Sequence, residues 1–181
     1  MSAWVEAVVE QIDECVGEVI LVGHSAGGNV VWGAADARTD RVARVIFVDT
    51  VPSAEGAPLP SFTPVNGVIP FPGWDSFPDA EVVDLDATMR SGAATPSVPA
   101  GVSAGVVRLV NPARWSIPVT VLMGSLDRDG LEAEIAEDVV RFGAEYHAIE
   151  DIEVLTIGSG HWPQISVPDR LAELILDAVS R

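Results

Sequence analysis

The stretch "VILVGHSAGG", Val19 to Gly28, decides the fold. It opens as a continuous apolar run rich in β-branched residues, the pattern of a strand covered on both faces of its sheet. It stops at Gly-His-Ser-Ala-Gly, and a helical pattern begins at once. So sharp a corner forces the turn residue toward an unfavourable backbone conformation. Side chains two positions before and after it would strike the neighbouring strand and helix, so glycine at Gly23 and Gly27 is expected to remove the clash. Ser25 is then pushed out above the sheet edge, at a helix N-terminus whose amides point at any developing anion. A phosphate-binding loop competes for the same pattern. It fails, because G-x-G-x-x-G is not matched and the chain holds no lysine for a P-loop.

Outward from this corner the elements alternate. Trp4, Val5, Val8, Val9 and Ile12 recur at helical spacing and predict a helix over 2–15, ended by Gly17. Helix follows the corner over 26–37, and "ARVIFVD", 43–49, reads as a second buried strand. "IPVTVLMG", 117–124, and "IEVLTIG", 152–158, read as two more. Leu131, Ile135, Val139 and Phe142 mark a helix over 130–145. Pro168 and a Ser166-x-x-Asp169 box start a last one, whose inner face is Leu171, Leu174, Ile175 and Ala178. Residues 51–116 differ in character, with ten of the thirteen prolines and one short helix near 79–90. They read as an irregular cap insertion rather than a loop. The fold class is therefore α/β in a single domain, 1–181: a four-stranded parallel sheet, flanking helices and a Pro-rich cap over 51–116.

Composition excludes several functions. The 27 acidic residues face 10 arginines, for a net charge of −17, which leaves no electrostatic footprint for nucleic acid or an anionic membrane. The single cysteine, Cys15, rules out an internal disulfide and a cysteine-based metal site. No run approaches the roughly 18 apolar residues of a membrane span, and no signal peptide is evident, so a cytoplasmic protein is expected. No cofactor and no metal is expected.

A nucleophilic serine needs a base, and the base needs an orienting group. His24 adjoins Ser25 and is expected to be structural or pocket-lining, and His147 to be exposed. His161, in "GSGHWP" after the fourth strand, stands level with the Ser25 corner. "GSLD" after the third strand puts Asp127 on the same rim, giving the chain order Ser25, Asp127, His161. Asp49, ending the second strand in "FVDT", is the alternative acid. Phe71, Trp74 and Phe77 of the insertion, with Trp162, are candidates to line an acyl or alcohol pocket, with ordinary core packing as the equal alternative.

"GHSAGG", "GSLD" and "GHWP", with "VIFVDTVPSAEG" and the proline-rich insertion, make the chain resemble an α/β-hydrolase, similar to the small esterase-like branch of methylesterases and hydroxynitrile lyases. The resemblance implies a serine hydrolase acting on a small carboxylic ester through Ser25, His161 and Asp127, with the Ala26 N–H in the oxyanion hole. It also implies about four strands ahead of the nucleophile strand and a loop there that donates a second oxyanion N–H. The sequence starts at the helix before that strand, so an N-terminally truncated, partial fold is expected, with the Ser25 strand as an edge open to dimerisation. The alternatives are a catalytically impaired remnant that is not an enzyme, and a lyase of the hydroxynitrile type using the same residues.

Overall fold

A computed structural model describes residues 2–57, 64–93, 95, 98–99, 106 and 108–181. In chain order its elements are α1 (Ser2–Glu14), β1 (Val19–His24), α2 (Gly27–Ala37), β2 (Val42–Val48), β3 (Val68–Ile69), α3 (Asp79–Val82), α4 (Ala87–Gly92), β4 (Val98–Pro99), β5 (Val119–Met123), α5 (Arg128–Glu137), α6 (Ala144–Tyr146), β6 (Ile152–Thr156), α7 (Pro163–Ser166) and α8 (Pro168–Val179). Four of the strands form one parallel sheet in the order β1-β2-β5-β6. The expected sheet is the observed one.

The two central strands are the most deeply buried, and their side chains alternate between two cores, as the period of two in a strand requires. Val45 and Phe47 of β2, with Val119 and Val121 of β5, pack beneath Val30, Val31 and Trp32 of α2 and Leu131 and Ile135 of α5. Ile46 and Val48, with Leu122, face the other way, onto Leu171, Leu174 and Ala178 of α8. Each such fully buried side chain contributes roughly 1.5–3 kcal/mol of transfer free energy. Val5, Val8 and Val9 seat α1 against the first core, beside α2, but Trp4, expected inside, is exposed.

Three local expectations need correcting. The helix expected over 130–145 is broken: α5 ends at Glu137, and a single wide π-type turn, Val139–Gly143, leads into α6. The Asp138 carboxylate accepts the Arg141 N–H and caps the turn, leaving Val139 exposed. Ser166 does not cap α8. It ends α7, its hydroxyl reaching back to the Trp162 carbonyl, and Val167 precedes the first turn of α8. The helix expected near 79–90 is two short ones, α3 and α4, the second capped by Asp86 through Met89 N–H. Other parts of the expected cap, 58–63 and 100–105, lie outside the described residues.

The chain returns from the insertion through a buried ionic knot. Arg114 donates to Glu145 (2.6 and 3.0 Å) and to Asp36 (3.1 Å). Glu145 also accepts the indole N–H groups of Trp32 and Trp115, and Asp36 accepts the Val110 and Asn111 amides. Burial alone would favour a neutral Arg114, but the two carboxylates outweigh it and raise its pKa. Among the described residues no helix is long and apolar enough to cross a membrane.

Candidate active site

The corner after β1 is as tight as the sequence demands. Ser25 has φ +50°, in the left-handed region that costs a non-glycine residue on the order of 1–3 kcal/mol. Its amide still reaches β2, donating to the Val48 carbonyl at 3.1 Å, and its own carbonyl accepts Gly28 N–H at 2.9 Å. Of the two glycines expected to relieve the corner, Gly23 does so and Gly27 does not. A Cβ on Gly23 would lie 2.6 Å from Val31 Cγ2 and 2.8 Å from the Gly27 carbonyl oxygen, so Gly23 is required. One on Gly27 would meet nothing within 4 Å. The second crowded position is Gly28, where a Cβ would sit 2.6 Å from Thr50 Cγ2. Ala26 follows Ser25 directly, at the start of α2, where helical amides have no acceptor within the helix.

The acid beside His161 is Asp49 rather than Asp127. His161 Nδ1 lies 2.6 Å from Asp49 Oδ2, and Gly124 N–H donates to Asp49 Oδ1 at 2.7 Å. Asp127 is exposed, and its carboxylate accepts Gly130 N–H as the N-cap of α5. The reason is local: the Asp127 side chain is spent on the free amides of its own helix, whereas Asp49 stops β2 at φ +45° and projects over the ends of β2 and β5. Burial pushes the Asp49 carboxyl upward, but the bonds from His161 and Gly124 outweigh it and hold its pKa below the ordinary value. A carboxylate only accepts, so His161 Nδ1 carries the proton and Nε2 is left as the basic nitrogen. Among the described residues no hydrogen bond joins Ser25 Oγ to His161.

His24 sits beneath this loop. Its Nε2 lies 2.7 Å from the His161 carbonyl, and the two imidazoles stand 4.7 Å apart. Burial, more than the nearby charges, lowers the His24 pKa, so the ring is a neutral donor to that carbonyl. His147 is exposed, as expected.

The aromatic candidates do come together. Trp162 lies 5.3 Å from Trp74, 5.4 Å from Phe77 and 5.5 Å from both His24 and His161, and Phe71 stacks on Phe77 at 5.8 Å. Rings at these separations touch one another, so they form a packed aromatic wall beside His161. All four are half-buried. Sequence reasoning missed what holds the His161 loop from above: Gly160 N–H donates to Asp84 Oδ2 and His161 N–H to the Glu81 carbonyl, each at 2.8 Å. Neither residue stands in a motif, and no pattern in the sequence joins them to a loop 76 positions away.

The profile of the alpha/beta hydrolase family matches residues 2–174. Comparison with curated proteins found no sequence match. Among solved structures, a pyrethroid hydrolase from Sphingobium faniae JZ-2 is similar with a TM-score of 0.64 and 20% identity, over 95% of this chain and 74% of its own. An extracellular α/β-hydrolase from a Paenibacillus species is similar at 0.67 and 20%, over 96% and 77%. Tomato methylketone synthase I is similar at 0.62 and 13%, over 97% and 77%.

Proposed function

The chain belongs to the alpha/beta hydrolase family, and from that premise we propose that it is a serine hydrolase acting on small carboxylic esters. Ser25 attacks the ester carbonyl, and His161 Nε2 takes its proton and returns it to the leaving alcohol. Asp49 holds the imidazole in the required tautomer and stabilises the imidazolium. The Ala26 N–H donates to the oxyanion. A water then repeats the sequence on the acyl-enzyme and releases the acid. The observation that carries this reading is the 2.6 Å contact between Asp49 and His161, on the same sheet edge as a serine held at φ +50°.

The hydrogen bond from Ser25 Oγ to His161 Nε2, absent from the free chain, forms when substrate arrives, as catalytic hydrogen bonds commonly align only in the substrate complex. The wall of Phe71, Trp74, Phe77 and Trp162 favours an apolar acyl or alcohol group next to the base. Solved structures under 25% identical carry the fold alone, and one of them is named a synthase, so the reaction must be read from the site. Among the described residues the Ala26 N–H is the oxyanion donor identified, and removing one such donor costs about 2.7–4 kcal/mol.

A fluorophosphonate probe and a chromogenic short-chain ester test the proposal together. Labelling at Ser25 with measurable turnover, both lost in Ser25→Ala, is expected. Absence of labelling in the wild-type chain would favour a non-catalytic role. Labelling with cyanohydrin cleavage in place of ester hydrolysis would move the assignment to a lyase.

A further inference from the structure

The Gly160–His161 segment lies between β6 and α7 and belongs to neither, so no ladder or helix satisfies its amides. Gly158 and Ser159 still donate to the Gly124 carbonyl at the end of β5. The next two amides leave the sheet. Gly160 N–H goes to Asp84 Oδ2 and His161 N–H to the Glu81 carbonyl. The insertion therefore supplies both acceptors for the backbone that carries the base.

The insertion is broken at the place that allows this. In a continuing helix the Leu85 N–H would bond the Glu81 carbonyl. Here it turns to the Val82 carbonyl instead, at 3.1 Å, because α3 ends after one turn. The break frees the Glu81 oxygen for His161 and swings Asp84 onto Gly160. The fit leaves no slack: a Cβ on Gly160 would stand 2.5 Å from the Glu81 oxygen and 2.6 Å from Asp84 Oδ1. Asp84 Oδ1 is itself buried and makes no hydrogen bond among the described residues. A buried acceptor left unpaired calls for an explanation. A carboxylate packed against a glycine and bonding through its other oxygen makes a stronger bond to an amide than a neutral acceptor would.

We propose that Asp84 is a positioning residue for His161: docking of the 79–85 turn on Gly160 fixes the backbone of the base, so that Nδ1 meets Asp49. The turn is then a strut of the active site, and Phe71, Trp74 and Phe77 of the same insertion pack against Trp162, the residue next to the base. The inference takes His161 as the base of the proposed hydrolase, but its structural content can be read without turnover.

The test is proton NMR of the full chain, following the downfield His161 Nδ1 proton shared with Asp49, alongside kcat and KM for a chromogenic ester. Asp84→Ala and Gly160→Ala should both lose or broaden that signal. Each should lower kcat by about tenfold or more with KM little changed, as expected of a misplaced base. Asp84→Asn, which keeps an acceptor for Gly160 N–H, should retain the signal. Asp86→Ala loosens α4 in the same insertion without touching the His161 loop, and should leave signal and kcat unchanged. Retention of the signal and rate in both alanine variants would overturn the proposal, as would an equal loss in Asp86→Ala or no downfield proton in the wild type. If Asp84→Ala does not fold, Gly160→Ala decides. A wild-type chain with the downfield proton but no probe labelling would sink the hydrolase reading and leave the positioning role to the NMR comparison.

Discussion

Asp49 Oδ2 and His161 Nδ1 meet at 2.6 Å, and their contact ties the end of β2 to the loop after β6 across the intervening strand β5. The Gly124 N–H at the end of β5 takes the other Asp49 oxygen, so one carboxylate joins three neighbouring strand ends. Asp49→Asn should therefore lower kcat by about 10⁴ through the wrong imidazole tautomer, with the fold intact. Asp127→Ala should cost about 1 kcal/mol of stability through the lost α5 cap and leave kcat unchanged. Steady-state kinetics and denaturant melts on the two variants check the assignment, and the reverse pattern would restore Asp127.

The two glycines of the corner should separate in the same way. Gly23→Ala sets a methyl against backbone atoms of Gly27 and Gly28 that cannot rotate aside, and should cost about 1–3 kcal/mol. Gly27→Ala meets open space within α2 and should raise stability by roughly 0.4–1 kcal/mol by narrowing the unfolded ensemble. Urea midpoints measured side by side decide between them.

The sheet was legible because its strands are short, unbroken apolar runs rich in β-branched residues. "VILVGH", "VIFV" and "VTVLM" could be little but buried parallel strands, and the serine at the end of the first points to its own corner. The site was legible by strand end but not by side chain. Asp127 and Asp49 both follow strands on one rim, and only the helix that begins after Asp127, with free amides for its carboxylate, separates them. The contacts of Asp84 and Glu81 lay beyond reach, because they depend on how an aperiodic insertion folds back. The same holds for the knot of Arg114, Asp36 and Glu145, each member of which reads as an ordinary surface charge.

That knot should be expensive to break from one side. Arg114 and Glu145 are both nearly fully buried, so Arg114→Met leaves two carboxylates without their cation and should cost about 3–5 kcal/mol. Replacing all three members by apolar residues of similar volume should cost far less. A triple variant as unstable as the single one would show that the indole bonds to Glu145, rather than the charges, carry the stability.

His24 should make stability fall with mild acid. Its folded-state pKa is lowered below the ordinary 6.5, chiefly by burial, so the unfolded chain takes up a proton that the native state resists. The His24 contribution is then complete above about 6.5 and is lost as pH falls from there toward the folded value. Asp49, with its lowered pKa, contributes stability that is lost only below 3.8, in a separate window. His24→Gln keeps a donor for the His161 carbonyl but does not titrate. Denaturant melts on either side of 6.5 should show a smaller drop for this variant than for wild type, and equal drops would remove His24 as the cause.

Strand β1 has β2 on one side and no strand on the other among the described residues. Ser25 N–H bonds to β2, so alternation turns the Gly23 and Leu21 amides the same way and leaves those of Ile20, Val22 and His24 facing outward. Val22 is 44% exposed. The one irregularity in pairing lies at the start of the strand, between Val19 and Ile20, so no proline, lysine or mid-strand bulge blunts this edge. Helix α1 packs beside α2 on the face of the sheet and does not replace a strand. The 181-residue chain should therefore self-associate by pairing β1 with β1 of a second copy. The net charge of −17 opposes this over the whole surface, and salt screens it within a Debye length of about 8–10 Å, so association should strengthen as salt is added. Val22→Lys puts a charge on the edge where its stem can still lie flat, and should return the chain to a monomer without unfolding it. Sedimentation equilibrium at low and high salt measures both effects, and hydrogen exchange at Ile20 and Val22 reports whether those amides are protected in the dimer. A wild-type chain that stays monomeric at every salt concentration, with those amides exchanging freely, would mean that this edge recruits no second copy.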